Sequence, residues 1–278
     1  MREGSVLCLD PHGFHRMRYT EWGDPRNPRV LVCVHGLTRN GRDFDYLAER
    51  LSDAYRVVCP DVAGRGRSDW LRDPKDYTYN LYCHDMVALL ASLHADTVDW
   101  LGTSMGGTFG MLLASFPGSP IRKLVLNDIG SVIPKAALQR ISQYVGKEPS
   151  FDTLEAFEAA MRSFSPFGEL TAAQWRHLAV NVAKRGDDGR WRPCYDPGIA
   201  VNFNEGVTAD VDLRSYWNAL HGPVLVIRGA ESDLLLPEIL EEMQRRPRTE
   251  AFVVPRTGHP PMLMDDAQVG VVRRFLLT

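Results

Sequence analysis

The segment Leu101-Gly102-Thr103-Ser104-Met105-Gly106-Gly107 follows the apolar run Val98 to Leu101 and opens a stretch of helical pattern, Thr108 to Phe116. It predicts a strand, a tight turn and a helix. A nucleophile held on such a turn needs glycine wherever a side chain would strike the neighbouring strand or helix, and Gly102 and Gly106 flank Ser104 at the required spacing. The helix that starts beyond Ser104 offers unpaired N–H groups and a partial positive charge, both suited to an oxyanion developing beside the serine. Gly-x-Ser-x-Gly is a short pattern, and its setting between a strand and a helix is what gives it meaning.

A serine hydroxyl is a poor nucleophile at neutral pH and needs a base within hydrogen-bond reach, itself oriented by a third group. Two later segments supply candidates. The apolar run Val224 to Ile227 leads into Arg228-Gly229-Ala230-Glu231-Ser232-Asp233, and Ala251 to Val254 leads into Thr257-Gly258-His259-Pro260. Each candidate stands just past the carboxyl end of a strand, where the ligand crevice of an open parallel sheet lies. An earlier run, Val30 to Val34, ends in His35-Gly36-Leu37.

Taken in the order serine, acid, histidine, these segments resemble the α/β-hydrolase family. The resemblance implies Ser104 as nucleophile, His259 as general base and Asp233 as the carboxylate that orients it. Asp128, in Asn127-Asp128, is the alternative acid, because some relatives take theirs from the strand after the nucleophile helix. The resemblance further implies an oxyanion hole built from the backbone N–H groups of Leu37 and Met105, with His35 holding the loop. Pro60-Asp61-Val62-Ala63-Gly64-Arg65-Gly66-Arg67-Ser68-Asp69 resembles another signature of the family, a glycine-rich turn after a strand. It lacks phosphate-binding glycine spacing and a following lysine, so it reads as structural.

The rest of the chain supplies the scaffold. Residues 5 to 23 alternate loosely around Pro11 and Gly13, as in an antiparallel hairpin at a sheet edge. Six later runs (30–34, 57–59, 98–101, 123–126, 224–227, 251–254) are short, rich in Val and Leu and mostly not alternating, the pattern of strands covered on both faces. Amphipathic stretches separate them, so the expected fold is α/β with a doubly wound, mostly parallel sheet. The alternation breaks between 132 and 218, where Leu154, Phe157, Met161 and Phe164 form one helical pattern and Trp175, Leu178, Ala179 and Val182 another. The expected organisation is a core of residues 1–131 and 219–278 with a mainly helical cap, 132–218, inserted after the sixth strand. Phe164, Phe167, Trp175 and Trp217 could line an apolar pocket or pack as ordinary core.

Composition excludes several classes. A net charge of −3, with basic residues scattered along 278 residues, gives no footprint for nucleic acid or a membrane surface. No stretch approaches the roughly 20 apolar residues that span a bilayer. Five cysteines, an odd number without a Cys-x-x-Cys pair, read as reduced thiols of a cytoplasmic protein. No metal-ligand set appears, and Ser104 chemistry needs no cofactor. The expected partner is a small-molecule substrate.

The leading functional expectation is a serine hydrolase that cleaves carboxylic esters of small or medium acyl groups through an acyl-enzyme on Ser104. Carbon-carbon hydrolysis of ring-cleavage products and enol-lactone hydrolysis use the same triad. Relatives of the former often carry Asn before the nucleophile and an aromatic residue after the last histidine, where this chain has Thr103 and Pro260-Pro261. Dehalogenases and epoxide hydrolases require a carboxylate nucleophile, which Ser104 is not. A binding protein that keeps the fold without turnover is the non-enzymatic alternative.

Overall fold

The computed structural model describes the backbone of residues 1–278 and the surroundings of every residue except Gly206. In chain order it runs β1 (Arg2–Asp10), β2 (Gly13–Trp22), β3 (Val30–Val34), α1 (Asp45–Leu51), β4 (Arg56–Pro60), α2 (Tyr79–Ser92), β5 (Val98–Thr103), α3 (Met105–Ser115) and β6 (Ile121–Asn127). After short β7 (Val132–Ile133) come α4 (Lys135–Ser142), α5 (Leu154–Phe164), α6 (Ala172–Val182), β8 (Ala183–Arg185), β9 (Trp191–Pro193), α7 (Ala200–Gly206), β10 (Val211–Asp212) and α8 (Arg214–Asn218). The chain then returns through β11 (Val224–Gly229), α9 (Pro237–Gln244), β12 (Thr249–Val254) and α10 (Asp266–Leu277).

One eight-stranded sheet, ordered β1-β2-β4-β3-β5-β6-β11-β12, organises the molecule. The hairpin β1–β2 joins it antiparallel through β2 and β4, and the remaining neighbours pair in parallel. Strand order reverses between β3 and β5, because β4 lies on one side of β3 and every later strand on the other. A crevice opens at such a reversal, outside the carboxyl ends of the strands.

Both faces of the sheet are covered, which is why its strands read as unbroken apolar runs rather than alternating ones. Val30, Val32, Trp100, Leu124 and Val226 pack beneath α2, α3 and α9, whereas Leu31, Cys33, Leu101, Val125 and Ile227 pack beneath α1 and α10. Between β6 and β11 a third apolar cluster joins Leu154, Phe157, Met161, Trp175 and Leu178 to Met262 and Met264, which follow His259. The four aromatics of this region differ in their surroundings: Phe167 and Trp175 stack with ring centres 5.7 Å apart, Trp217 is buried in the main core, and Phe164 is 68% exposed. All five cysteines are free. Among the described residues no helix is long and apolar enough to cross a membrane.

At the start of α3 the helix approaches the sheet too closely for a side chain. A Cβ on Gly106 would stand 2.1 Å from the Val34 carbonyl oxygen, and one on Gly102 2.2 Å from the Gly106 backbone. Neither obstacle can rotate away, because both are main chain. Gly106→Ala is therefore expected to destabilise the protein by at least about 3 kcal/mol, read from urea unfolding. A variant within 1 kcal/mol of wild type, roughly the range of an ordinary surface change, would show that the helix can withdraw at little cost.

The edge hairpin carries a buried charge cluster. Cys8 and His15 are cross-strand partners, and His15 Nε2 lies 2.9 Å from Asp85 on α2 while Nδ1 lies 3.2 Å from Asp10. Burial pulls the imidazole pKa down, but the hydrogen bond and charge of Asp85, followed by Asp10, raise it overall above its ordinary 6.5. The fold thus favours protonated His15. Its contribution is complete below the unfolded value of 6.5 and is lost as pH rises through the higher folded value. Unfolding midpoints measured upward from pH 6.5 should fall less steeply in His15→Gln than in wild type; identical slopes would remove His15 as the source.

Candidate active site

Ser104 sits between β5 and α3 with φ 51° and ψ −116°, a left-handed backbone uncommon outside glycine. The surroundings over-determine it. Its N–H donates to the Asn127 carbonyl at 2.9 Å, and its own carbonyl accepts from Gly107 at 2.9 Å and Thr108 at 3.0 Å. The side chain is left at the carboxyl edge of the sheet.

His259 Nε2 lies 3.0 Å from Ser104 Oγ, and His259 Nδ1 lies 2.7 Å from Asp128 Oδ2. With Asp128 as acceptor, Nδ1 carries the hydrogen and Nε2 is free to accept from the serine hydroxyl. Asp128 is fully buried, and its second oxygen accepts the Gly229 N–H at 3.0 Å. The loop that carries His259 is held from three directions. Glu231 donates to the Thr257 carbonyl at 2.8 Å, Gly258 donates to Pro166 at 2.7 Å, and Asn127 Nδ2 donates to the Pro261 carbonyl at 2.8 Å. Gly229 permits this approach, since a Cβ there would meet the Gly258 carbonyl at 2.3 Å.

The expected acid, Asp233, is not the carboxylate that meets His259. Its side chain is 47% exposed and forks onto Arg140, with Nε to Oδ2 at 2.5 Å and Nη2 to Oδ1 at 2.8 Å. Burial pushes its carboxyl upward, but Arg140 and then the charge of His259 take it below the usual carboxylate range. The reason for the correction is register. Thr103 of β5 pairs with Asn127 of β6, so Ser104 and Asp128 each stand first past adjacent strand ends. Asp233 stands four residues past Gly229, where the chain has already turned outward. Asp128 stands two residues past its apolar run, close to the three of Ser104, whereas Asp233 stands six past its own, and that offset is the sequence signal that separates the two aspartates.

Met105 follows Ser104 directly, and Leu37 lies on the loop after β3. A Cβ on Gly36 would lie 3.7 Å from Ser104 Cβ, so the loop after β3 runs beside the nucleophile. Among the described residues, neither the Leu37 nor the Met105 N–H donates to a protein acceptor. The loop is fixed from behind. His35, fully buried, accepts from the Val62 N–H at 2.9 Å through Nε2 and donates through Nδ1 to the Gly36 carbonyl at 2.7 Å. Burial, with the charges of Arg65 and Arg39, lowers its pKa to about 3, so it stays neutral.

Arg65, from the glycine-rich turn, is the part of this region that sequence reasoning underrated. It is fully buried and donates to the carbonyls of Leu37 at 2.9 Å and Ala63 at 2.7 Å and to the Tyr82 hydroxyl at 2.7 Å. Its remaining nitrogen contacts Met105 Sδ at 3.8 Å, and its plane lies over Tyr82 at 4.9 Å. One guanidinium thus touches both residues flanking Ser104, which the planar fork can do and a lysine cannot. No spacing in the sequence announces that convergence.

Two groups of possible metal ligands occur, Cys8-His15-Asp85 and Asp10-His12-Asp76, each with donor atoms within 4.8 Å of one another. Both belong to the edge hairpin and its neighbours, and neither shares a residue with the Ser104 cluster.

This fold and this cluster define a class, and the chain belongs to the alpha/beta hydrolase family, whose model matches residues 31–274. It is a hydrolase of that family. Among relatives, it is 50% identical to a 3-hydroxybutyrate-oligomer hydrolase of Cupriavidus necator over 99% of this chain and 97% of the relative. A putative hydrolase from Rickettsia typhi superposes with a TM-score of 0.93 at 31% identity, covering 100% of this chain and 99% of that one. An alpha/beta hydrolase from Novosphingobium aromaticivorans superposes with a TM-score of 0.89 at 36% identity, covering 99% and 98%.

Removing the His35 ring would leave the Val62 N–H buried without an acceptor and open a void under the loop. His35→Ala should cost about 2–4 kcal/mol in denaturant unfolding, and a loss under about 1 kcal/mol would mean that the loop is anchored elsewhere.

Proposed function

We propose that the protein is a serine esterase that cleaves short hydroxyacyl esters, oligomers of 3-hydroxybutyrate among them, through an acyl-enzyme on Ser104. The observation that carries this reading is the relay of Ser104, His259 and Asp128, with heavy-atom separations of 3.0 and 2.7 Å. The name of the half-identical relative adds the substrate class. Ser104 Oγ attacks the ester carbonyl as its proton passes to His259 Nε2, and Asp128 stabilises the imidazolium that forms. The negative oxygen of the tetrahedral intermediate faces the N–H groups of Leu37 and Met105. As the intermediate collapses, His259 returns the proton to the departing alkoxide and the acyl group remains on Ser104. Water, deprotonated by the same imidazole, then releases the acid.

In this reading residues 132–218 act as a cap. Their apolar cluster reaches Met262 and Met264 on the loop that carries His259, so cap and base move or hold together. A cytoplasmic setting suits the five free thiols.

The test is nitrophenol release from a series of nitrophenyl acyl esters, with a fluorophosphonate label as the measure of an activated Ser104. Ser104→Ala should lose both turnover and label. Asp128→Asn should lower kcat by about 10³–10⁴-fold, and by at least a hundredfold more than Asp233→Asn does. The reverse ranking would restore Asp233 as the orienting acid. Wild type that takes the label but spares every ester would redirect the reading to carbon-carbon or enol-lactone substrates.

A further inference from the structure

The pair Arg140–Asp233 joins two segments that both begin at the relay. Asp128 ends β6, and Ile129 to Pro134 lead straight from it into α4, which carries Arg140. Asp233 lies on the turn after β11, whose Gly229 N–H binds Asp128 and whose Glu231 N–H binds the loop of His259. Asp233 is also within electrostatic reach of His259. The pair therefore stands at the rim of the site rather than on a remote face.

Three arginines stand on or beside the segments that build the site, and they differ in what they are free to do. Arg65 is sealed beneath the loop, and Arg39 is engaged by Asp43 and roofed by Phe167 with only 13% of its side chain exposed. Arg140 is 40% exposed, and among the described residues its Nη1 has no acceptor within hydrogen-bond distance. A half-exposed ion pair contributes little net stability, so its carboxylate can be exchanged at small cost. Arg140 thus holds, in Asp233, a carboxylate of the kind that a hydroxy-acid oligomer carries at its end.

We propose that Arg140 is the subsite for the terminal carboxylate of the substrate, and that Asp233 holds the guanidinium in position until that carboxylate arrives. The inference rests on the ester reading above and narrows it to linear esters ending in a free acid. Binding that carboxylate at Arg140 would set the scissile carbonyl a limited number of units away, at Ser104, so short oligomers would be cleaved from the acid end.

The experiment compares the linear 3-hydroxybutyrate dimer as the free acid with its methyl ester, measuring released 3-hydroxybutyrate. Wild type should prefer the acid. In Arg140→Gln the ratio of kcat/KM for acid over methyl ester should fall about 10- to 100-fold, mainly through KM for the acid, and Arg140→Lys should recover part of it. Asp233→Asn removes the same ion pair but leaves the cation, so it should keep or raise the ratio. A ratio moved less than threefold by Arg140→Gln, or lowered equally by Asp233→Asn, would overturn the proposal and leave the pair a structural clasp. Wild type that hydrolyses nitrophenyl esters but shows no preference for the acid would also overturn it while the ester reading stands. Wild type that cleaves no ester of any kind would remove both.

Discussion

The start of helix α3 rests on the sheet at a distance that only main chain can occupy. Gly106 packs against the Val34 carbonyl and Gly102 against the Gly106 backbone. With the helix this close, the single residue joining β5 to it turns sharply, and Ser104 adopts a left-handed backbone. The strain is carried by packing on every side, and it leaves the hydroxyl projecting from the sheet rather than folded into it. The same contact brings the loop after β3 alongside the serine, so Ser104 and the two N–H groups that lack a protein acceptor among the described residues share one origin.

Around this contact the polar interior is arranged to keep charge where it is useful. His35 is buried and neutral, so it can accept from Val62 and donate to Gly36 without adding a charge beside Ser104. Arg65 supplies a permanent positive charge beneath the loop, satisfied by carbonyls, a phenol and a thioether. A buried cation that binds carbonyl oxygens in place of a carboxylate keeps more of its field. That field falls on the peptide groups of Leu37 and Ala63, whose carbonyls it binds, and on Met105 Sδ. Farther out, Arg140 and Asp233 pair half in solvent.

Much of this was legible in the chain before folding. Strand, turn and helix around Ser104 follow from local spacing and from glycines at two positions, and the run ending at Thr257-Gly258-His259 announces its histidine in the same way. The alternation of buried runs with amphipathic stretches sufficed for a doubly wound sheet. These are properties of neighbours a few residues apart, and backbone geometry enforces them directly.

The choice between Asp128 and Asp233 was of another kind. Both follow a buried strand, and both lie between the serine and the histidine in sequence. Only the pairing of Thr103 with Asn127 puts Asp128 beside Ser104, and only the turn after Gly229 carries Asp233 out to Arg140. The aromatics of 132–218 raise the same difficulty, since helical spacing identifies an apolar face but not what covers it: Phe167 stacks on Trp175, Trp217 joins the main core and Phe164 is exposed. Arg65 shows it again, with partners drawn from positions 37, 63, 82 and 105. The sequence by itself determined the elements, the turn at Ser104 and the strand end before His259, because these rest on short-range sterics and periodicity. The tertiary structure alone decided which carboxylate meets the histidine and which cation reaches the rim, because strand register and long-range packing set those distances.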